Sequence, residues 1–160
     1  MAKQQGKQTK QTDPGLHFED SIGFQVRQTH RLLQKYLQMQ IEPLGITPGA
    51  WYFLRVLWNE DGLTQRELSD RVGTMEPTTL VAIKSMVEDG LVERRRNTSD
   101  GRKLNVFLTE KGRALKDIAI PEALKVNEVA GLRLDSGEEA LFLDMLGRMQ
   151  ASIAERIERG

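Results

Sequence analysis

The chain has 160 residues, 39% of them hydrophobic and 29% charged, and its 23 basic residues are balanced by 23 acidic ones. That length suits one domain, or a small domain with an attached assembly region. The absence of cysteine excludes disulfides, thiolate redox sensing and Cys-based zinc sites; His17 and His30 do not have the spacing of a metal pair; and no apolar run reaches the ~18 residues that a bilayer span needs. No metal, cofactor or membrane partner is therefore expected, and the expected location is cytoplasmic.

Residues 1–15 read as a disordered tail, with Gln4, Gln5, Gln8 and Gln11 among lysines and no apolar segment of the kind a signal peptide carries. A first helix is predicted from about Phe18 to Met39, because Phe18, Ile22, Val26, His30, Leu33 and Leu37 recur at spacings of three and four. Pro43 and Gly45 break it. Thr47 then caps a second helix with Pro48 at its first position, and Trp51, Leu54, Leu57 and Trp58 line its inner face. Thr64-Gln65-Arg66-Glu67 is a capping box that opens a short third helix ending at Gly73. Pro77 lies near the start of a fourth helix that runs to about Asp89 and stops at Gly90. Leu91–Arg96 and Lys103–Leu108 read as two strands of a hairpin around the turn-rich loop Asn97–Arg102. Thr109 caps a long fifth helix that Pro121 should kink. Ser136-Gly137-Glu138-Glu139 reads as a second capping box. The last helix sets Phe142, Leu146, Met149, Ile153 and Ile157 on one seam.

This order describes a mainly α chain with a small two- or three-stranded β wing: a winged helix-turn-helix with N- and C-terminal dimerisation helices. Such a module puts one helix in the DNA major groove and a hairpin against the minor groove. Charge is polarised accordingly. Between Arg94 and Lys116 eight basic residues face two acids, whereas between Asp135 and Gly160 six acids face three arginines. On the fourth helix the candidate DNA contacts are Pro77, Thr78, Thr79, Val81, Lys84 and Ser85, with Thr79 also expected, like Ile83 and Met86, toward the core. Pro77 and Val81 can touch thymine methyls and Lys84 suits guanine or phosphate. With no Arg, Asn or Gln on this face, specificity is expected partly from apolar contacts and DNA shape. Arg94, Arg96 and Lys103 look like phosphate contacts. Arg102 is expected in the minor groove, its guanidinium held by Asp100. No nucleophile–base pair or phosphate loop suggests an enzyme.

The runs Gly62-Leu63-Thr64-Gln65-Arg66-Glu67-Leu68, Asp89-Gly90-Leu91-Val92-Glu93-Arg94, Asp100-Gly101-Arg102 and Leu108-Thr109-Glu110-Lys111-Gly112 together resemble the MarR family of bacterial transcription regulators. The chain departs from the family at Val81, where a polar or basic residue is common. The resemblance implies a triangular homodimer on a palindromic double-stranded operator, usually a repressor released by a small molecule. It assigns residues 16–45 and 116–160 to dimerisation and 46–115 to DNA binding. It also implies an effector crevice, for which Phe24, Arg27, His30, Arg31, Trp51 and Phe53 are the candidates. Such residues suit a small aromatic effector, phenolic or carboxylate, or a coenzyme A thioester whose phosphates the arginines hold. The competing expectation is an architectural or protein-interaction winged helix with no effector.

Overall fold

The computed structural model describes residues 17–97, 100 and 102–160. The expected N-terminal tail, Thr98, Ser99 and Gly101 of the wing loop, and the Phe18 side chain lie outside the described residues. Backbone packing divides the chain after Leu32 into two units. In the first, a 3-10 turn at Phe18–Asp20 precedes α1 (Ile22–Ile41). Ser21 Oγ accepts the Phe24 N–H (3.3 Å) at the head of that helix. Ile22 and Val26 of the predicted stripe are exposed.

The second unit begins within α1, where Leu37 and Ile41 are buried. A 3-10 turn at Glu42–Leu44 ends at Gly45. In α2 (Pro48–Asn59), Thr47 caps the helix by accepting the Ala50 N–H (3.1 Å), and Pro48 stands where no N–H partner is needed. The helix buries Ala50, Trp51, Phe53, Leu54, Leu57 and Trp58, so it forms the spine of the core. Next come β1 (Leu63–Thr64), α3 (Gln65–Val72), α4 (Glu76–Glu88), β2 (Val92–Arg96) and β3 (Leu104–Leu108). The sheet is antiparallel in the order β1-β3-β2, with Leu63 opposite Val106 and Val92 opposite Leu108. Leu68, Ile83, Met86, Leu91, Val92, Val106 and Leu108 seal α3, α4 and the sheet onto α2.

β1 is the third strand of the wing, which the sequence reading left open between two and three. The hairpin strands appear within one residue of their expected limits. α5 (Glu110–Gly131) starts at Thr109, whose Oγ1 accepts the Gly112 N–H (3.0 Å), and it runs on through Pro121. Gly112 packs directly on the start of the wing: a Cβ there would overlap the Leu91 carbonyl oxygen.

α6 (Ser136–Glu158) corrects one expectation, because its cap is Asp135 and not Ser136. Asp135 Oδ1 accepts the N–H groups of Gly137 (2.8 Å) and Glu138 (2.9 Å), and the Glu138 carboxylate accepts the Asp135 N–H (2.9 Å). A carboxylate outbids a hydroxyl here because its charge also faces the positive end of the helix dipole. No residue of α6 is buried, and Ile157 on its apolar seam is 75% exposed. Among the described residues, no helix is long and apolar enough to cross a membrane.

Candidate nucleic-acid interface

The placement of α4 starts from the capping box that begins α3. Thr64 Oγ1 accepts the Glu67 N–H (3.3 Å), and the Glu67 carboxylate accepts from the Thr64 N–H and hydroxyl, both at 2.7 Å. The Thr64 hydroxyl, then the Thr64 N–H, hold the Glu67 carboxyl below the ordinary carboxylate range, with smaller help from Arg71 and Lys103. The turn into α4 is locked from inside. Thr79 Oγ1 donates to the Met75 carbonyl (3.2 Å) and lies 3.2 Å from Ser69 Oγ, whose proton goes to the Thr74 carbonyl (2.7 Å).

Thr79 is therefore removed from the DNA-contacting set. It is buried and fully engaged with the α3–α4 turn. Pro77, Thr78, Val81 and Lys84 lie exposed on α4, Val81 at 68%. Ser85 is half-buried and its hydroxyl donates to Asp89 Oδ2 (3.4 Å) at the C-terminal end of the helix. Two neighbours were absent from the sequence reading. Met75, just before α4, is exposed, and so is Arg66 in the first turn of α3. The capping box was the signal that could have found Arg66, since it marks where α3 begins.

The wing separates its cations by strand alternation. Pairing places Glu93, Arg95, Asn105 and Phe107 on one face, and Val92, Arg94, Arg96, Leu104, Val106 and Leu108 on the other. Arg95 pairs with Glu93 and its guanidinium lies 4.8 Å above the Phe107 ring. That ring needs Gly62 beneath it, where φ is +79° and a Cβ would come within 2.5 Å of the aromatic carbons. Arg94 and Arg96 are exposed and have no acidic partner among the described residues. Toward the tip, Asp100 accepts the Arg102 N–H on Oδ1 (3.1 Å), donates its own N–H to Asn97 Oδ1 (2.9 Å), and accepts the Lys103 N–H on its carbonyl (2.9 Å). Its Oδ1 is 3.5 Å from Arg102 Nε. Asp100 thus makes the expected ion pair with the Arg102 guanidinium and also holds the Arg102 backbone N–H. The Arg102 side chain is 95% exposed.

The basic pole is also smaller than the sequence count. Lys111, Arg113 and Lys116 bond to protein acceptors at Asp89, Asp61 and Trp58. Among the described residues of the wing, α3 and α4, the exposed cations without a hydrogen-bonded or ion-paired protein partner are Arg94, Arg96, Lys103, Lys84 and Arg66, while Arg102 is 95% exposed beside Asp100.

Among the effector candidates, Phe24 is half-buried and Arg27 and His30 are exposed on α1. Arg31, also exposed, donates from Nε to Gln28 Oε1 (2.9 Å). Trp51 and Phe53 are core residues, 2% and 3% exposed. The Trp51 ring meets Trp58 edge-on at 5.8 Å and lies under the Arg55 guanidinium, also at 5.8 Å. Packing covers these rings, so neither is offered to a ligand, contrary to expectation. Among the described residues, no three acidic or histidine side chains gather as metal ligands.

Comparison with known proteins points the same way. A sequence model of the MarR family matches residues 44–103. The HTH-type transcriptional regulator TtmR of Methylorubrum extorquens is 32% identical over 111 residues, 69% of this chain and 56% of that protein. A MarR transcriptional regulator of Methanosarcina mazei is 34% identical in its solved structure, with a TM-score of 0.76 over 84% of this chain and 96% of that one. A Bordetella bronchiseptica regulator whose DNA binding is regulated by 6-hydroxynicotinic acid shares the fold at 20% identity, with a TM-score of 0.79 over 85% of this chain and 97% of that one.

Proposed function

Because the chain belongs to the MarR family of transcriptional regulators, we propose that it acts as a homodimeric repressor that leaves a palindromic operator when a small aromatic acid binds. DNA binding and transcriptional regulation come with the family.

The observation that carries the reading is the set of exposed cations around α4. Arg94, Arg96, Arg102 and Lys103 stand on the wing, and the outer face of α4 offers Pro77, Thr78, Val81 and Lys84. One such head covers too few base pairs for tight, specific binding. Two heads related by a two-fold axis and ~34 Å apart read inverted half-sites. The exposed apolar residues of α6 supply a surface that a second copy would cover, and those of the first turns of α1 are exposed in their own unit. Residues 46–115 would then meet DNA, and 16–45 with 116–160 would make the dimer.

For the effector, support comes from α1. Phe24, Arg27, His30 and Arg31 share one arc of the helix, so an aromatic ring and two guanidinium groups lie within reach of one carboxylate. A coenzyme A thioester would use the same arginines for phosphate. The likeness to a fold-mate that answers 6-hydroxynicotinic acid favours the simpler acid.

The test begins with selection of binding sites from random duplexes. Gel shifts then compare the selected palindrome with scrambled DNA over a range of salt. The expected result is a large affinity ratio that persists at every salt concentration. Equal affinity for both would leave an architectural protein, because a steep salt slope accompanies non-specific binding too. Release of the palindrome by 6-hydroxynicotinate or a related aromatic acid is expected, and an Arg27→Ala, Arg31→Ala double variant should lose that release.

A further inference from the structure

Three cations on the first two turns of α5 reach three separate segments of the DNA-binding head. Lys111 Nζ donates to the Asp89 carbonyl (2.8 Å) at the end of α4. Lys116 Nζ donates to the Trp58 carbonyl (3.2 Å) at the end of α2. Carbonyls at helix C-termini lack intrahelical partners and carry the negative end of the dipole, so ammonium groups settle there. Between them, an Arg113 terminal guanidinium nitrogen donates to Asp61 Oδ2 (2.6 Å).

Asp61 is the unusual partner. It lies in the three-residue link, Glu60 to Gly62, between α2 and β1. Its other oxygen, Oδ1, accepts the Leu108 N–H (2.8 Å) at the end of β3 and the Gly62 N–H (3.0 Å). One carboxylate therefore ties the end of α2, the base of the wing and α5 together. Trp58 adds a fourth tie, donating from Nε1 to the Gly112 carbonyl (2.9 Å).

We propose that the Arg113–Asp61 pair, backed by Lys111 and Lys116, is a positioning joint that fixes the tilt of the DNA-binding head on α5 and so sets the half-site spacing the dimer accepts. This rests on the paired-half-site reading above. The pair is partly exposed, so it contributes little to stability. Its effect is angular. Inserting one base pair between half-sites turns one against the other by roughly 35°. A head clamped to α5 cannot follow that turn, whereas a loosened head can.

The test uses the full-length chain and its selected palindrome. Affinity is measured for duplexes with one base pair added or removed between the half-sites, at several salt concentrations. Wild-type protein should lose at least tenfold in affinity on either change. Arg113→Met should lose threefold or less, and Arg113→Lys, which keeps the ion pair, should restore the wild-type penalty. The salt dependence should stay that of wild type in Arg113→Met, because Arg113 is spent on Asp61 and not on phosphate. An Asp61→Asn variant, which keeps the acceptor for Leu108, gives a second reading of the same joint and should broaden the spacing likewise.

A full wild-type spacing penalty in both Arg113→Met and Asp61→Asn would overturn the inference. So would a salt slope lower by about one in Arg113→Met, which would place that residue on a phosphate. A wild-type protein indifferent to spacing would overturn the paired-half-site reading and this inference with it.

Discussion

α2 and α6 are both apolar enough to need cover, yet they meet opposite fates in one chain. α2 buries six of its 12 residues, whereas α6 buries none of its 23. The difference lies in what each apolar side faces. The residues of α2 are spaced to meet α3, α4 and the sheet, all supplied by the same chain. Of the α6 seam, Phe142, Ile153 and Ile157 are exposed, and Leu146 and Met149 are only half-buried. A stripe of apolar residues thus says that burial is needed, but not whether the cover comes from the same molecule.

Four changes can break or sharpen that contrast. The largest effect is expected from Ile153→Asp. If a second copy covers α6, an unpaired charge in that seam should abolish the dimer, and sedimentation should show a monomer with an intact helical spectrum. A variant that stays dimeric would assign the seam elsewhere. Leu54→Ala acts on the other side of the comparison. Leu54 is fully buried in α2. Its truncation should cost about 2–5 kcal/mol of stability, read as a lower denaturation midpoint, without altering the dimer equilibrium of the folded protein. A loss below about 1 kcal/mol would mean that the core closes around the gap.

Arg102→Ala comes next. It should weaken binding to the selected palindrome by about 1–3 kcal/mol while leaving both stability and dimerisation alone. Unchanged binding would show that the wing tip stays out of the groove.

The smallest effect is at Glu67. Its carboxyl is held below the ordinary carboxylate range by Thr64, so the folded form favours the ionised group. That contribution is fully present above the unfolded-state value and fades as pH falls through the lower folded-state value. Glu67→Gln should therefore lower the unfolding midpoint slightly at pH 7, and the deficit should shrink in acid below about pH 4. A deficit that is constant with pH would mean that the capping geometry matters and the charge does not.

The DNA-binding head was legible where the signal is local. Thr47, Thr64 and Thr109 announce helix starts because each accepts a backbone N–H within three residues of itself. Gly73 and Gly90 announce helix ends because each adopts a positive φ. The illegible parts depend on distant partners or on extent. β1 has two residues, too few for alternation to show, and exists because β3 lies beside it. The roles of Lys111, Arg113 and Lys116 were hidden in a charge count that could not see acceptors 22, 52 and 58 residues away. Thr79 was pulled both ways by the sequence, since a threonine near a helix start can face a groove or brace a turn. The Met75 acceptor and the Ser69 contact decide that in favour of the turn. Trp51 is expected both in the core and at a ligand surface and Phe53 only at the latter, yet both are buried in the core.

At Gly112 the helix backbone passes so close to the Leu91 carbonyl that no room remains for even a methyl group. A library randomised at that codon and screened for function should return glycine almost alone. The residue would look like a recognition determinant to anyone ranking positions by mutational intolerance, although what demands glycine there is clearance between two crossing backbones.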